Sequence, residues 1–303
     1  MTAQVGAAVA RRSGADERAL ALAGAAGALT AFLGFPIAGA VFAHELLVPS
    51  AGLGAAHALP SSILATVGAA VACALLRGGA IGGHFTWGAT APLPALSGYA
   101  MALGFGVAGA LVGGFFVALV DALRSGFKGR RGTRAVAGLA AGLLALRYPQ
   151  TLFWGEQSLQ TAIDGRANPA ALLFPVAMQG ARASVDLGFG VGAAKLVAIA
   201  VAVAAGVPGG VIFPLFFAAG GLTRGCGLAL PAQPALICSM AALQAGVTRT
   251  PMATVLMLAF SARTADLATL APLAAVAAYT SIWTARALNM PAFFSYPGAD
   301  EPG

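Results

Sequence analysis

The sequence predicts an all-α membrane protein, built as a bundle of many apolar helices. Of the 303 residues, 59% are hydrophobic and only 9% are charged, whereas a soluble domain carries about a quarter charged residues. Glycine is abundant, at 41 residues, and small residues let membrane helices approach each other closely. A surface so poor in charge suits acyl chains rather than water, which excludes a soluble globular domain.

Basic residues are concentrated in short blocks between apolar stretches. The densest block runs from Arg124 to Arg134 and includes Lys128, Arg130 and Arg131. The positive-inside bias predicts that this block lies on the cytoplasmic side of a membrane. A nucleic-acid patch is disfavoured, because no aromatic residues are arranged beside the block for base stacking. The net charge of +7 therefore indicates topology, and we expect no nucleic-acid partner.

Apolar runs predict nine membrane segments along the chain. The first run contains Phe35-Pro36 and is expected to divide into two helices there. The run from Val191 to Leu230 is interrupted between Gly206 and Gly210. Residues 148–185 are less apolar and are expected to form a partly exposed connection with short helices. The nine segments are 19–48, 60–77, 95–123, 132–147, 187–206, 211–230, 234–247, 250–262 and 265–287.

Several of these segments are too short, or too interrupted by Pro and Gly, to be simple membrane spans. Backbone that leaves the helix inside lipid has unpaired N–H and C=O groups, which are tolerated only where protein buries them or a polar cavity is present. In transporters, such breaks mark the binding site near the middle of the membrane. The interruptions therefore predict a polar pathway through the bundle.

The segment from Gly206 to Phe217 is the strongest candidate for a binding site. Pro208 marks a helix boundary, and Gly209 and Gly210 let a ligand approach the backbone. The N–H groups at the start of the next helix, together with its dipole, attract an anion without any charged side chain. Partial charges also release a small anion readily, which suits conduction. The alternative interpretation is a kinked helix in which these residues only allow close packing.

Four segments resemble signatures of the CLC family of chloride channels and transporters. Residues 209–214 resemble its G-G-[VI]-F-x-P motif, with Ile212 where the family has Phe. Residues 35–45 resemble A-P-L-A-G-x-L-F-x-x-E, and residues 241–251 resemble A-A-L-L-A-G-V-T-R-A-P. Residues 148–162 resemble an extracellular P-x-x-L-G-x-G-x-x-x-I stretch. The order and spacing of the four segments agree with the family from about residue 2 to about 296.

The resemblance implies a single transmembrane domain with broken and tilted helices at 1–296, followed by a short tail at 297–303. It implies transport of chloride or a similar small anion by a multi-pass homodimer in the plasma or inner membrane. An enzyme, a cofactor and a metal are not implied. By the family's pattern, backbone amides and nearby aromatic rings would bind the anion, at Gly210, Val211, Ile212, Phe213, Phe293 and Phe294.

Two departures from the family concern protons and the anion. Leu46 follows Glu45 where exchangers of the family often have a second Glu that relays protons, so passive conduction is favoured over coupled exchange. Glu45 is a candidate for the proton pathway or for gating, because intramembrane ionisable groups are commonly functional. The alternative interpretation of Glu45 is that it is a carboxylate at a helix end, paired with a basic loop residue. Phe293 and Phe294 replace a Tyr whose hydroxyl contacts the anion, or they form an interfacial aromatic belt.

The family's first-half loops, G-S-G-I-P and the G-[KR]-E-G-P loop with the gating Glu, are not found in the sequence. Residues 2–6 resemble the x-V-Q-x-G that follows the second loop, so the fold is expected to be N-terminally incomplete. A truncated, non-conducting membrane protein or gene fragment is therefore the alternative function. An intramembrane serine protease is a third hypothesis, disfavoured because no nucleophile signature surrounds Ser61, Ser62, His57 or His84.

Overall fold

A computed structural model describes residues 2–14, 16–33, 37–51, 59–77, 85, 87, 95–152, 155, 159–160, 163, 188–207, 209–261 and 267–294. Within these ranges the chain is almost entirely helical, which confirms the predicted all-α class. A single 3-10 turn at Pro149–Thr151 interrupts the series of helices described there. The helices are α1 (Thr2–Ser13), α2 (Glu17–Leu33), α3 (Ala38–Ala51), α4 (Leu59–Arg77), α5 (Ala95–Phe127), α6 (Thr133–Arg147), α7 (Phe189–Ala204), α8 (Ile212–Gly225), α9 (Ala232–Thr248), α10 (Pro251–Ser261) and α11 (Leu267–Ala287).

The predicted interruptions of the apolar runs coincide with helix ends. The first run divides into α2, which ends at Leu33, and α3, which begins at Ala38. The later run divides in the same way, with α7 ending at Ala204 and α8 beginning at Ile212. Pro and Gly act on the backbone locally, so these boundaries follow from the sequence without knowledge of the tertiary structure.

Two helix ends differ from their predicted positions. Helix α5 continues to Phe127, beyond the apolar run and into the basic block. Helix α8 ends at Gly225 rather than near residue 230, and the nearby Gly227 has a φ of 61°. Apolar character alone overestimates α8, because Gly225 and Gly227 favour a helix stop even in an apolar stretch. Of the connection predicted at 148–185, only residues 148–152, 155, 159–160 and 163 are described.

The chain forms two compact units. The first comprises Met1–Thr86, Thr248–Ala271 and Phe294–Gly303, and the second comprises Trp87–Val247 and Pro272–Phe293. In the first unit, α2 packs against α1, α3 and α4, and α3 also packs against α10. In the second unit, α7 packs against α5, α6 and α8. The predicted single domain at 1–296 stays a prediction, and the tail at 297–303 lies outside the described residues.

The second unit contains a stripe of glycines on one face of α5. A Cβ at Gly106 would lie 2.5 Å from the Thr280 Cβ of α11, and a Cβ at Gly109 would lie 2.5 Å from the Ala242 Cβ of α9. Gly113 continues the stripe one turn later against the end of α9. The spacing of small residues lets three helices meet at backbone distance.

Two helices within the described ranges, α4 and α5, are long and apolar enough to cross a membrane. Helix α4 leaves much of its apolar surface uncovered: Leu64, Leu75 and Leu76 are 72%, 79% and 87% exposed. Such continuous apolar exposure is rare on soluble monomers. It suits contact with acyl chains.

Candidate anion site

The connection between α7 and α8 starts with a tight helix stop at Gly206. Gly206 has a φ of 71°, and the Val207 amide donates to the Ala202 carbonyl oxygen at 3.0 Å, which is a Schellman arrangement. Gly209 and Gly210 are exposed, and a Cβ at either position would meet no atom within 4 Å of those described. The backbone before α8 is therefore open to a ligand.

Helix α8 starts at Ile212, and its N-cap residue, Val211, forms no side-chain cap. The Leu215 amide donates to the Val211 carbonyl oxygen at 2.9 Å, which closes the first turn. The amides of Val211, Ile212 and Phe213 precede that bond, whereas Pro214 has no N–H to offer. Backbone amides and the positive end of the helix dipole therefore provide the electrostatics of this terminus.

Side chains on the first turn of α8 are packed inward and hold the terminus in position. Val211 is 7% exposed and Phe213 is 3% exposed. The Phe213 ring meets the Phe216 ring edge-on, with centroids 6.2 Å apart, an arrangement that aromatic pairs prefer. Because these side chains face the core, a ligand at this terminus would meet the backbone of the turn rather than the Val211 and Phe213 side chains.

Phe293 follows a second Schellman stop, at the end of α11. Asn289 has a φ of 49°, and the Met290 amide donates to the Ala285 carbonyl oxygen at 2.8 Å. The Phe293 amide then donates to the Val247 carbonyl oxygen at 3.2 Å, so the chain after α11 is attached to the end of α9. These bonds fix the backbone of Phe293 within the second unit.

The Phe293 ring has two neighbours on α5. It stacks on Phe116 with centroids 6.0 Å apart, and the Arg124 guanidinium lies 5.9 Å from its centroid. The sequence analysis did not anticipate this cation–π contact. Phe294 is half-buried and belongs to the first unit. Phe213 and Phe293 share a unit, in which the Phe213 ring meets Phe216 and the Phe293 ring meets Phe116.

Glu45 caps the N-terminus of α10 from a different helix. One carboxylate oxygen accepts from the Met252 amide at 2.9 Å, and the other accepts from the Ala253 amide at 2.8 Å. A residue at the helix start usually fills this role with its own side chain. Here Thr250, which precedes Pro251, shares a 2.7 Å hydrogen bond with Thr248 instead. The carboxylate therefore joins α3 to α10 within the first unit.

The alternative suggested for Glu45, a helix-end carboxylate paired with a basic loop residue, differs from the structure in its position, because Glu45 lies inside α3 rather than at its end. Its carboxylate accepts from the backbone amides of Met252 and Ala253, while pairing with a basic loop residue stays a prediction. Arg249, beside the capped helix, has a φ of 61°. This left-handed residue turns the chain sharply between α9 and α10.

Lys195 is a functional candidate that the sequence analysis missed. It lies in the middle of α7 and is only 2% exposed. Its amine donates to the Thr151 carbonyl oxygen at 2.7 Å and lies 5.7 Å from the Phe217 ring centroid. A lone lysine inside an apolar run was a signal in the sequence, since intramembrane charges are rare and commonly functional. Gly155 packs against the same ring, where a Cβ would lie 2.9 Å from the Phe217 Cγ.

A sequence model of the voltage gated chloride channel family matches residues 1–286. The chain belongs to this family. The match covers nearly the whole chain and confirms the resemblance found in the four motifs. Homologues in the voltage gated chloride channel family are integral membrane proteins, which agrees with the apolar surface of α4.

Two similar proteins show how far the similarity extends in sequence and in structure. A protein of Ralstonia nicotianae, named as a ClcB-like chloride channel protein, is 28% identical over 260 residues, which cover 80% of this chain and 54% of that protein. The crystal structure of a CLC-type fluoride/proton antiporter matches with a TM-score of 0.69 and 20% sequence identity, over 93% of this chain and 69% of the other. At that identity the match shows the fold alone. The chain spans about half the length of the curated relative it matches.

Of the predicted site residues, Gly210, Val211, Ile212 and Phe213 are consecutive at the start of α8, in the second unit. Phe293 lies in the same unit, and Glu45 and Phe294 lie in the other. Of the residues considered for a protease, Ser61 and Ser62 are on α4, whereas His57 and His84 lie outside the described residues. The anion-binding role of the six predicted residues stays a prediction.

Proposed function

We propose that this chain transports chloride or a similar small anion passively across a membrane. The observation that carries the proposal is family membership over residues 1–286, together with a helix start at Ile212 whose N-cap residue, Val211, forms no side-chain cap. A helix start behind two glycines offers amide donors to an anion. Its partial charges bind more weakly than a lysine or arginine would, which allows rapid release.

The proposed anion site consists of the backbone at Gly210, Val211, Ile212 and Phe213, while an anion-binding role of Phe293 and Phe294 stays a prediction. The inward packing of Val211 and Phe213 supports this role, since it fixes the amides before an anion arrives. A pre-organised site loses little entropy on binding. Phe293 and Phe294 contribute aromatic surface rather than a hydroxyl donor.

Passive conduction is preferred to coupled exchange because of the residues near the start of α10. Leu46, next to Glu45, cannot carry a proton. The Glu45 carboxylate accepts two amide bonds, which hold it in one position. We infer that Glu45 acts mainly by positioning α10, while its role in a proton pathway or in gating stays a prediction. We also propose a homodimer in the plasma or inner membrane, built from a single transmembrane domain.

Chloride efflux from liposomes that contain the purified protein tests the proposal. With potassium chloride inside and valinomycin added, passive conduction predicts chloride efflux without proton uptake. Proton movement against its gradient would indicate exchange instead. Efflux equal to that of empty liposomes would favour the alternative, a non-conducting membrane protein.

A pair of variants at Gly210 tests the start of α8 in the same chloride-efflux assay. Gly210→Asp adds a carboxylate beside the terminus, where it competes with the anion, and the open space at Gly210 accepts the new side chain. We expect efflux to fall by about twofold to fivefold, because a charge at a helix terminus contributes about 0.5 to 1 kcal/mol. Gly210→Asn is the control, because it has nearly the same shape without the charge. Equal efflux from the two variants would contradict an anion site at this terminus.

A further inference from the structure

The second unit contains an apolar groove of about 530 Å³ between α5, α7, α8 and α9. Phe105, Val112 and Leu119 line it from α5, and Val197, Leu222 and Leu243 line it from the other helices. No charged side chain is found among the described residues of its lining. Nothing in the proposed anion pathway uses this groove.

The two hydroxyls in the lining are already hydrogen-bonded within their own helices. The Thr223 hydroxyl donates to the Ala219 carbonyl oxygen at 2.8 Å, and the Ser239 hydroxyl donates to the Leu236 carbonyl oxygen at 2.9 Å. Neither donor is directed at an occupant of the groove. A polar occupant would therefore lose its hydration without compensation, whereas a hydrocarbon chain would not.

The length of the groove is comparable to that of a hydrocarbon chain in one leaflet. Between Phe105 and Leu119, α5 rises by about 21 Å at 1.5 Å per residue, against about 15 Å for half of a bilayer core. The α5 side chains beside the groove are open to the surroundings, since Leu111 is 48% and Phe115 is 66% exposed. A lipid chain could enter sideways from the membrane.

Positive charge lies just beyond the Leu119 end of the groove. Phe116, which lines the groove, stacks on Phe293, and the Arg124 guanidinium lies over that ring. Four more basic residues follow within ten positions, whereas Asp121 is the one acid on this stretch. The four are Lys128, Arg130, Arg131 and Arg134. Clusters of this size beside a membrane helix attract anionic headgroups.

We propose that this groove binds one acyl chain of an anionic phospholipid, whose headgroup contacts the basic block at Arg124–Arg134. The apolar lining selects a hydrocarbon chain, and the charge at one end selects a phosphate-bearing headgroup over a zwitterionic one. This site is separate from the proposed anion site at the start of α8, and it does not depend on the chain's transport activity.

Native mass spectrometry of the full chain in detergent tests the site, with phosphatidylglycerol and phosphatidylcholine as probes. We expect the wild type to bind phosphatidylglycerol at least about tenfold more tightly, as two or more nearby basic residues predict. Equal binding of the two lipids would overturn the proposal.

Two variant pairs separate the apolar and charged parts of the site. Ala108→Phe fills the groove, and Ala118→Phe is its control on an exposed part of α5 outside the lining. Ala108→Phe should lose bound lipid, and Ala118→Phe should keep it. The double variant Arg130→Gln with Arg131→Gln should reduce the preference for phosphatidylglycerol over phosphatidylcholine to below about threefold. The double variant Arg11→Gln with Arg12→Gln removes the same charge from α1 and should leave the preference unchanged.

The remaining outcomes count against the proposal. Unchanged lipid retention by Ala108→Phe would show that the lipid binds elsewhere. A change from dimer to monomer in Ala108→Phe, with lipid retention intact, would assign the groove to a second copy of the chain. If Ala108→Phe does not fold, Val112→Trp fills the same groove from the next turn and carries the same expectation.

Discussion

Helices α8 and α10 each begin near a proline, yet their first turns have different neighbours. Each follows a turn after an apolar helix, and the prolines are Pro214 in α8 and Pro251 in α10. At α10 the Glu45 carboxylate accepts from two amides, whereas the N-cap residue of α8, Val211, forms no side-chain cap. A helix start therefore serves at α10 as a joint between two helices, and at α8 we propose that it serves as a place for an anion.

The largest expected effect follows from removing the carboxylate at α10. Glu45→Ala leaves the Met252 and Ala253 amides without their acceptor, so we expect a loss of about 3 kcal/mol in the free energy of unfolding. Thermal unfolding in detergent measures the change. Glu17→Ala is the control, since Glu17 pairs with Arg11 at an exposed position, where such pairs contribute less than about 1 kcal/mol. If both variants unfold at the same temperature, Glu45 does not hold α10.

The next largest effect on stability concerns the contacts that Lys195 of α7 makes with Thr151 and with the side of α8. Lys195→Met removes the donor to the Thr151 carbonyl oxygen beside Phe217. We expect a loss of about 2 kcal/mol, because a hydrogen bond from a charged donor disappears inside the fold. Lys128→Met, at an exposed position of the basic block, should leave the unfolding temperature unchanged. A stable Lys195→Met protein would mean that the bond to Thr151 and the contact with the Phe217 ring add little to the apolar packing around α7.

A smaller effect tests which residue is the true cap of α10. Thr250→Val removes only the hydroxyl bonded to Thr248, and we expect a loss of about 1 kcal/mol, typical of a single neutral hydrogen bond. Thr254→Val, one turn later, removes a hydroxyl bonded to the Thr250 carbonyl oxygen and gives the matched comparison. Destabilisation by Thr250→Val as large as that by Glu45→Ala would make Thr250 the cap instead.

The smallest expected effect is a gain in stability rather than a loss. Gly210→Asp gives α8 a carboxylate of its own, so we expect a gain of about 0.5 kcal/mol in stability from the helix dipole, while chloride efflux decreases. Thermal unfolding measured alongside efflux separates the two consequences, with Gly210→Asn as the control. Lower stability together with lower efflux would point to damage of the fold rather than occupation of the terminus.

The sequence predicted the helix boundaries better than the contacts between helices. The division near Phe35-Pro36 and the start of α8 at Ile212 depend on Pro and Gly acting on their own backbone, so a local pattern is sufficient. The bonds of Glu45 reach across 207 positions to Met252, and no periodicity in the sequence encodes such a pairing. The same holds for Lys195 with Thr151 and for Phe293 with Phe116. These pairs depend on the register in which helices pack, which only the folded chain determines.

The glycine stripe on α5 has a mechanical consequence. Where Gly106 and Gly109 meet α11 and α9, the glycines have no side chain and the facing side chains, Thr280 and Ala242, are short, so little can change rotamer and absorb a displacement. Sliding one of these helices past the others would require the backbones to separate. In the second unit, α5, α9 and the part of α11 that belongs to it should therefore behave as one stiff element. Any elastic movement during transport would then be concentrated in the turns that connect the helices, such as the one at Gly206.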